Sequence, residues 1–365
     1  MRSLLILLCA IGITSGALYS QTTALCETPA GASRFGVVEH LTWRFLYSPE
    51  DIDRALDMMV EAGIGWVRLN WSWKDFQPEE GPFRFEQFDM AAARAAEHNI
   101  RLLPILTAVP AWASTAPAEL IAERGNLSPV DRYRPRDIEE WKLFVRTVVE
   151  RYDGDGVDDA PGSPRLTHWE VWNEPNIALF WPPHPDAQEY VDLLAVTHAE
   201  IMAADPTAKV VLGGLSGNGV APDGSGFLQD VYDAGGAAYF DVMSIHLYTH
   251  PATASLEGIN DALLAAREVM TANGDEDVPI WLTEIGWSDA PNAWGQPTAS
   301  QVEIADFLRE LYTYPLEVEI IFWYDFRNIV DASPNVEHNF GLVYNDFTPK
   351  PAYEAYAEVT AGCRE

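Results

Sequence analysis

His168-Trp169-Glu170-Val171-Trp172-Asn173-Glu174-Pro175 reads as a short apolar strand stopped by a proline. A glutamate inside such a run loses hydration, so it needs a partner or a task. The same form returns in Ile280-Trp281-Leu282-Thr283-Glu284-Ile285-Gly286-Trp287. Outward from these two, six more runs have strand character: Phe35–Glu39, Trp66–Asn70, Arg101–Leu106, Lys209–Gly213, Val242–Leu247 and Glu319–Tyr324. Amphipathic helical stretches lie between them, over Pro49–Ala62, Phe85–His98, Arg136–Tyr152, Asp186–Ala204, Leu256–Asn273 and Thr298–Tyr314. The alternation predicts a (β/α)₈ barrel, one domain over residues 35–361 with long loops after its strands. A doubly wound sheet would follow its first strand with a glycine-rich phosphate loop, whereas here Glu39-His40-Leu41-Thr42-Trp43 follows.

The chain has 365 residues, 48% hydrophobic and 21% charged, which is a globular composition. With 23 basic and 55 acidic residues the net charge is −32, which disfavours nucleic acid and anionic membrane surfaces as partners. The same repulsion favours neutral over acidic polymers; an acidic polymer as best substrate would demand a local basic cleft that the net charge hides. A surface this acidic and this poor in lysine fits a salty habitat. Thirteen Trp, fourteen Tyr and fifteen Phe are a surplus that suits flat surfaces able to stack on sugar rings. Oligomeric state leaves no mark in the sequence.

Met1, Arg2 and the apolar run Leu4 to Ile13 read as a secretory signal over residues 1–24, cleaved after Ala17 or Ala24. The run is too short for a membrane span, which takes roughly 20 residues. An extracellular or periplasmic protein is therefore expected. In an oxidising compartment Cys26 and Cys363 are expected to pair, since a closed barrel sets its first strand beside its last helix; two free thiols are the alternative. In Asp153-Gly154-Asp155-Gly156-Val157-Asp158-Asp159, carboxylates alternate with glycines as in some Ca²⁺ loops. The loop follows a helix, away from the active face of a barrel, and a solvated acidic turn is the other reading. No other metal or cofactor is implied.

Glu174 and Glu284 both stand at C-terminal strand ends, where barrel enzymes place reacting groups. Two carboxyl groups facing each other across a barrel mouth suit cleavage of a glycosidic bond, one protonated and one ionised. The alternative is a pair of structural glutamates bridged to Arg68 or another cation.

Trp172-Asn173-Glu174-Pro175 and Thr283-Glu284-Ile285-Gly286-Trp287 resemble the acid/base and nucleophile motifs of the clan A glycoside hydrolases, retaining (β/α)₈ enzymes acting mostly on β-linked sugars. Arg68, His246-x-Tyr248 and Trp323 stand in the matching order. Trp66-Val67-Arg68, Trp71-Ser72-Trp73 and Gly81-x-Phe83 look most like family 39, with families 5 and 10 as neighbours. The resemblance implies Glu284 as nucleophile, supported by Arg68 and Tyr248, and Glu174 as acid/base. It implies Asn173 on the sugar 2-hydroxyl, His246 near the acid/base and Trp323 as the floor of the sugar subsite. His40 would add a sugar contact, and Trp43, Trp71, Trp73, Trp112, Trp181, Trp287 and Trp294 are candidate platforms. Asp325 and Arg327 would either brace the mouth as a pair or touch substrate. A catalytically silent carbohydrate-binding barrel and a transglycosylase using the same site are the rival functions.

Overall fold

The structure is a computed structural model that describes Cys26 and residues 33–162, 164–217, 226–291 and 298–363. The signal segment and Trp294 lie outside the described residues.

Eight strands close a parallel barrel in sequence order: β1 (Phe35–Val38), β2 (Trp66–Ser72), β3 (Arg101–Thr107), β4 (His168–Asn173), β5 (Lys209–Ser216), β6 (Met243–His246), β7 (Ile280–Ile285) and β8 (Ile320–Trp323). Each differs from its sequence expectation only at the ends, and β8 pairs back onto β1 with Val37 opposite Trp323. The expected helices are present, and Ser48 caps Pro49–Glu61 with a reciprocal bond to Asp51. Short helices at Ala118–Arg124 and Phe227–Asp233, and the helix Pro351–Ala361, complete the layer. No helix among the described residues is long and apolar enough to cross a membrane.

Period-two alternation divides the strand side chains between two packed regions. Val38, Trp66, Leu103, Val211, Val242, Trp281, Ile320 and Phe322 fill the barrel interior. Val37, Val67, Leu106, Val171, Leu212, Ile245, Leu282 and Trp323 face the helices. Gly36 makes the inner packing fit, because a Cβ there would stand 2.6 Å from the Phe322 ring. The inner residues are filled below and polar above, so the chemistry collects at the C-terminal mouth.

Cys26 and Cys363 form a disulfide, their Cα atoms 5.2 Å apart and 337 residues apart in sequence. The helix Pro351–Ala361 brings the second cysteine back to the first strand, where Tyr356 donates its hydroxyl to the carbonyl of Gly36 at 3.0 Å. A link closing so long a loop contributes typically about 2–4 kcal/mol. Cys363→Ser is therefore expected to lower Tm by roughly 3–6 °C, read by calorimetry with a thiol titration of the unfolded chain. An unchanged Tm would mean that the link constrains nothing.

Candidate active site

Strand alternation alone would send Asn173 and Glu174 to opposite sides of β4. Two left-handed residues change this: Trp172 has φ +72° and Glu174 φ +44°. A bulky residue adopts that region only where its surroundings enforce it. Here the Trp172 ring is buried outside the barrel, 5.2 Å from Trp181, and its Nε1 donates to the carbonyl of Phe180 at 2.8 Å. Asn173 and Glu174 are thereby both turned into the mouth, and the backbone N–H of Glu174 bonds the carbonyl of Gly214 at 3.0 Å. On β7 a bulge does the corresponding work. Ile245 pairs with Leu282 and the next residue, His246, with Glu284, so Thr283 is skipped and Glu284 is aimed inward.

Arg68 organises the floor. Its Nε and Nη2 donate to the two oxygens of Glu170 at 2.6 and 2.8 Å, both side chains being fully buried. Its Nη1 donates to Glu284 Oε1 at 2.5 Å, and Nη2 also reaches Asn173 Oδ1 at 2.9 Å. Tyr248 donates its hydroxyl to the other oxygen of Glu284 at 2.8 Å. Burial by itself would raise the Glu284 pKa, but the charges of His246 and Arg68 and the bonds from Tyr248 and Arg68 outweigh it and hold the carboxyl below its ordinary value. Burial and the Glu284 charge push the Tyr248 phenol up, so it stays a donor. Glu170 is the structural glutamate here, as the bridge to Arg68 requires, while Glu284 shares the same guanidinium and opens to the cleft.

His246 Nδ1 lies 2.9 Å from Glu174 Oε1 and 3.6 Å from Glu284 Oε2. Its ring rests on Gly214, where a Cβ would come within 2.0 Å of Nε2. Gly214 also donates its N–H to Glu170 Oε1 at 3.0 Å. Gly214→Ala must displace His246 and with it the contact to Glu174. Turnover of an activated aryl glycoside is expected to fall by about 100-fold, the scale of a misplaced group, with the circular dichroism spectrum retained. Wild-type turnover in this variant would show that the seat of His246 is irrelevant.

The carboxylates open into a cleft of about 1100 Å³ lined by residues that include His40, Trp43, Arg68, Asn173, Glu174, Tyr248, Glu284 and Tyr324. His40 stacks on Trp43 with ring centres 3.8 Å apart. Burial pushes the His40 imidazole down to about 4, with Glu284 opposing and Arg68 adding to the effect, so the ring is neutral at neutral pH.

Several expected contacts lie elsewhere. Trp323 is fully buried and faces the helices, 6.2 Å from Phe307. Tyr324, one residue on and therefore on the opposite face, lines the cleft in its place. Trp287 stacks on Phe307 at 4.0 Å and donates Nε1 to Thr249 Oγ1 at 3.0 Å, outside the cleft. Trp71, Trp73 and Trp181 are core, with no exposed surface. Trp112 packs edge-on to Trp73 and donates to the carbonyl of Gln77. Trp43 alone of the described candidate platforms reaches the cleft. Arg327 donates to the carbonyls of Leu46 and Asn345 and forms no ion pair with Asp325, whose buried carboxyl has no hydrogen-bond partner among the described residues. Burial and the neighbouring Glu39 push Asp325 up, and burial lifts Glu39 to about 7.

Glu337 had no sequence signal. It lines the mouth from the loop after β8, raised by burial and by the charges of Glu284 and Glu174. Far from the mouth, Asp153, Asp155 and Asp159 bring carboxylate oxygens within 4.8 Å of one another. Asp153 and Asp159 also accept hydrogen bonds from backbone N–H groups within the loop, as a solvated turn would.

A model of the glycosyl hydrolases family 39 matches residues 119–360, and a model described as a β-galactosidase family, glycosyl hydrolase 42, matches residues 45–184. The chain is 26% identical over 258 residues to a β-xylosidase of Geobacillus stearothermophilus, covering 64% of this chain and 47% of that one. It is 23% identical over 328 residues to a β-xylosidase of Caldicellulosiruptor saccharolyticus, covering 81% and 62%. Among solved structures, a family 39 glycoside hydrolase from Bacteroides cellulosilyticus WH2 superposes with a TM-score of 0.66 at 25% identity, covering 90% of this chain and 63% of that one. The chain thus spans about half the length of the first curated relative and less than two thirds of the second.

Proposed function

The chain belongs to the glycosyl hydrolases of family 39, and on that premise we propose that it cleaves β-glycosidic bonds with retention, through a glycosyl-enzyme on Glu284. The placement of His246 Nδ1 between Glu174 and Glu284 carries this reading. Oε1 of Glu174 and Oε2 of Glu284 lie no further apart than 2.9 Å and 3.6 Å laid end to end. That is at or below the short edge of the ~6.5–9.5 Å range that leaves room for water in inverting pairs.

In the first step a carboxylate oxygen of Glu284 bonds the anomeric carbon while the bond to the leaving oxygen breaks. Glu174 gives its proton to that oxygen, and the alcohol departs. In the second step Glu174 takes a proton from water, the water oxygen bonds the anomeric carbon, and Glu284 leaves as a carboxylate. Two inversions restore the starting configuration. Arg68 and Tyr248 favour the ionised Glu284 that each turnover begins and ends with. Since Asn173 Oδ1 accepts from Arg68, its amide N–H groups are the ones presented to a sugar 2-hydroxyl.

Short β-xylosides and β-galactosides form the first substrate class to test, because the relatives carry those names. Export is part of the same proposal: a signal over residues 1–24 fits a protein whose Cys26 and Cys363 are joined. N-terminal sequencing of secreted protein beginning at residue 18 or 25 would support it.

The test is reaction with 2-fluoro xylosides and galactosides bearing an activated leaving group, followed by peptide mapping. The sugar is expected on the peptide that holds Glu284. A protein that binds the glycans, hydrolyses none and labels nowhere is the silent barrel. Transfer to an added sugar acceptor in preference to water would make it a transglycosylase.

A further inference from the structure

The cleft does not share the charge of the whole chain. Its lining carries five basic and five acidic side chains, where the chain has 23 and 55. Arg68 is neutralised by Glu170 and Glu284, and Lys74 by Asp131 at 2.5 Å. Arg44, Arg84 and Arg132 remain. They stand on the loops after β1, β2 and β3, along one lip of the mouth.

Among the described residues none of the three has a carboxylate at ion-pair distance. Arg44 donates to the neutral amide of Gln87. Arg132 donates to the carbonyl of Leu179 at 3.2 Å and lies 4.5 Å over the Phe180 ring. The Arg84 guanidinium has no hydrogen-bond partner among the described residues, and Arg44 and Arg84 are both exposed. Other arginines do meet carboxylates, as in Arg94 with Asp53, Arg151 with Asp89 and Arg165 with Asp205, while Arg54, Arg101 and Arg327 lie over aromatic rings instead.

A planar guanidinium left unpaired offers two parallel donors to a carboxylate or sulfate. Beside Arg44, Trp43 and Phe45 stack with centres 5.2 Å apart, and Phe45 is 76% exposed. The lip therefore presents aromatic rings for a sugar face next to cations for its charge. Repulsion from the rest of the surface is screened beyond about 8–10 Å at ordinary ionic strength, whereas contacts at the lip are not.

We infer that the cleft takes a glycan carrying anionic groups, carboxylate or sulfate, on units next to the one held between Glu174 and Glu284. Only the naming of that unit as the one cleaved rests on the glycosidase reading. The probes are a neutral xylo-oligosaccharide, the same chain with glucuronate branches, and a sulfated form, bound to wild type and to Arg44→Gln/Arg84→Gln at about 0.15 M salt. An acidic probe is expected to bind at least about tenfold tighter than the neutral one, and the double variant to erase that preference. Which probe gains identifies carboxylate or sulfate as the recognised group. Equal or tighter binding of the neutral chain, or a preference that survives in the variant, overturns the inference. Covalent labelling of Glu284 is scored separately. Labelling without acidic preference sinks this inference alone, and acidic preference with neither labelling nor hydrolysis of any probe sinks the hydrolase alone.

Discussion

Glu284→Ala is expected to lower kcat by at least roughly 10⁴-fold on every glycoside the wild type cleaves, with the fold unchanged. The loss follows from the proposed double displacement, in which no covalent intermediate forms without the carboxylate. Retention of the fold follows from Arg68. Removing Glu284 takes one of its partners, but the paired bonds to Glu170 at 2.6 and 2.8 Å and the bond to Asn173 remain, so no buried charge is stranded. The measurement is kcat together with Tm. A variant that keeps more than about a hundredth of wild-type turnover would remove Glu284 from the nucleophile role. Azide in excess should partly restore turnover in the cavity left by the side chain, giving a product of inverted configuration. In the proposed reaction the attacking Glu284 is ionised, so activity is expected to be lost as pH falls through its pKa. Because that pKa is depressed, the acid limb of the rate profile is expected below the ordinary glutamate value of about 4.3.

Glu174→Ala is expected to divide substrates by leaving group. For alkyl glycosides and oligosaccharides, whose leaving oxygen must be protonated, kcat/KM should fall by about 10²–10⁴-fold. For dinitrophenyl glycosides the first step needs little protonation and should be nearly preserved, while the second slows because water has lost its base. The glycosyl-enzyme should then accumulate and show as a burst. Equal losses on both substrate kinds would take the proton-transfer role away from Glu174. His246 survives in this variant, since it stays seated on Gly214, so the effect reports Glu174 itself.

The barrel and the strand-end positions of Glu174 and Glu284 at its mouth are legible in the sequence because their signals are local. Apolar runs of strand length, helical amphipathicity and a glutamate at a strand end are all read within a dozen residues. The structure departs from the sequence pattern where one residue of register decides which face a side chain takes. Trp323 stands next to Tyr324, and on a strand that separates the helix-facing layer from the cleft. Aromatic richness suggests sugar platforms, yet Trp71, Trp73 and Trp181 are packing material. Nothing in composition separates a stacking tryptophan from a core one. Glu170 sits in the same run as Glu174 but belongs to Arg68, a distinction visible only once β2 and β4 are brought face to face.

From the chain of residues alone came the closed alternation, the strand ends that carry Glu174 and Glu284, and the two cysteines that meet as Cys26–Cys363. These rest on period, spacing and residue chemistry, which the linear order contains. The tertiary structure decided which side chains share a space: the left-handed Trp172 that turns Asn173 and Glu174 together, the bulge that aims Glu284, Gly214 under His246, and three arginines from separate loops on one lip. Those are juxtapositions of residues distant in sequence, and distance through space is set by packing and strand register, which no local pattern encodes.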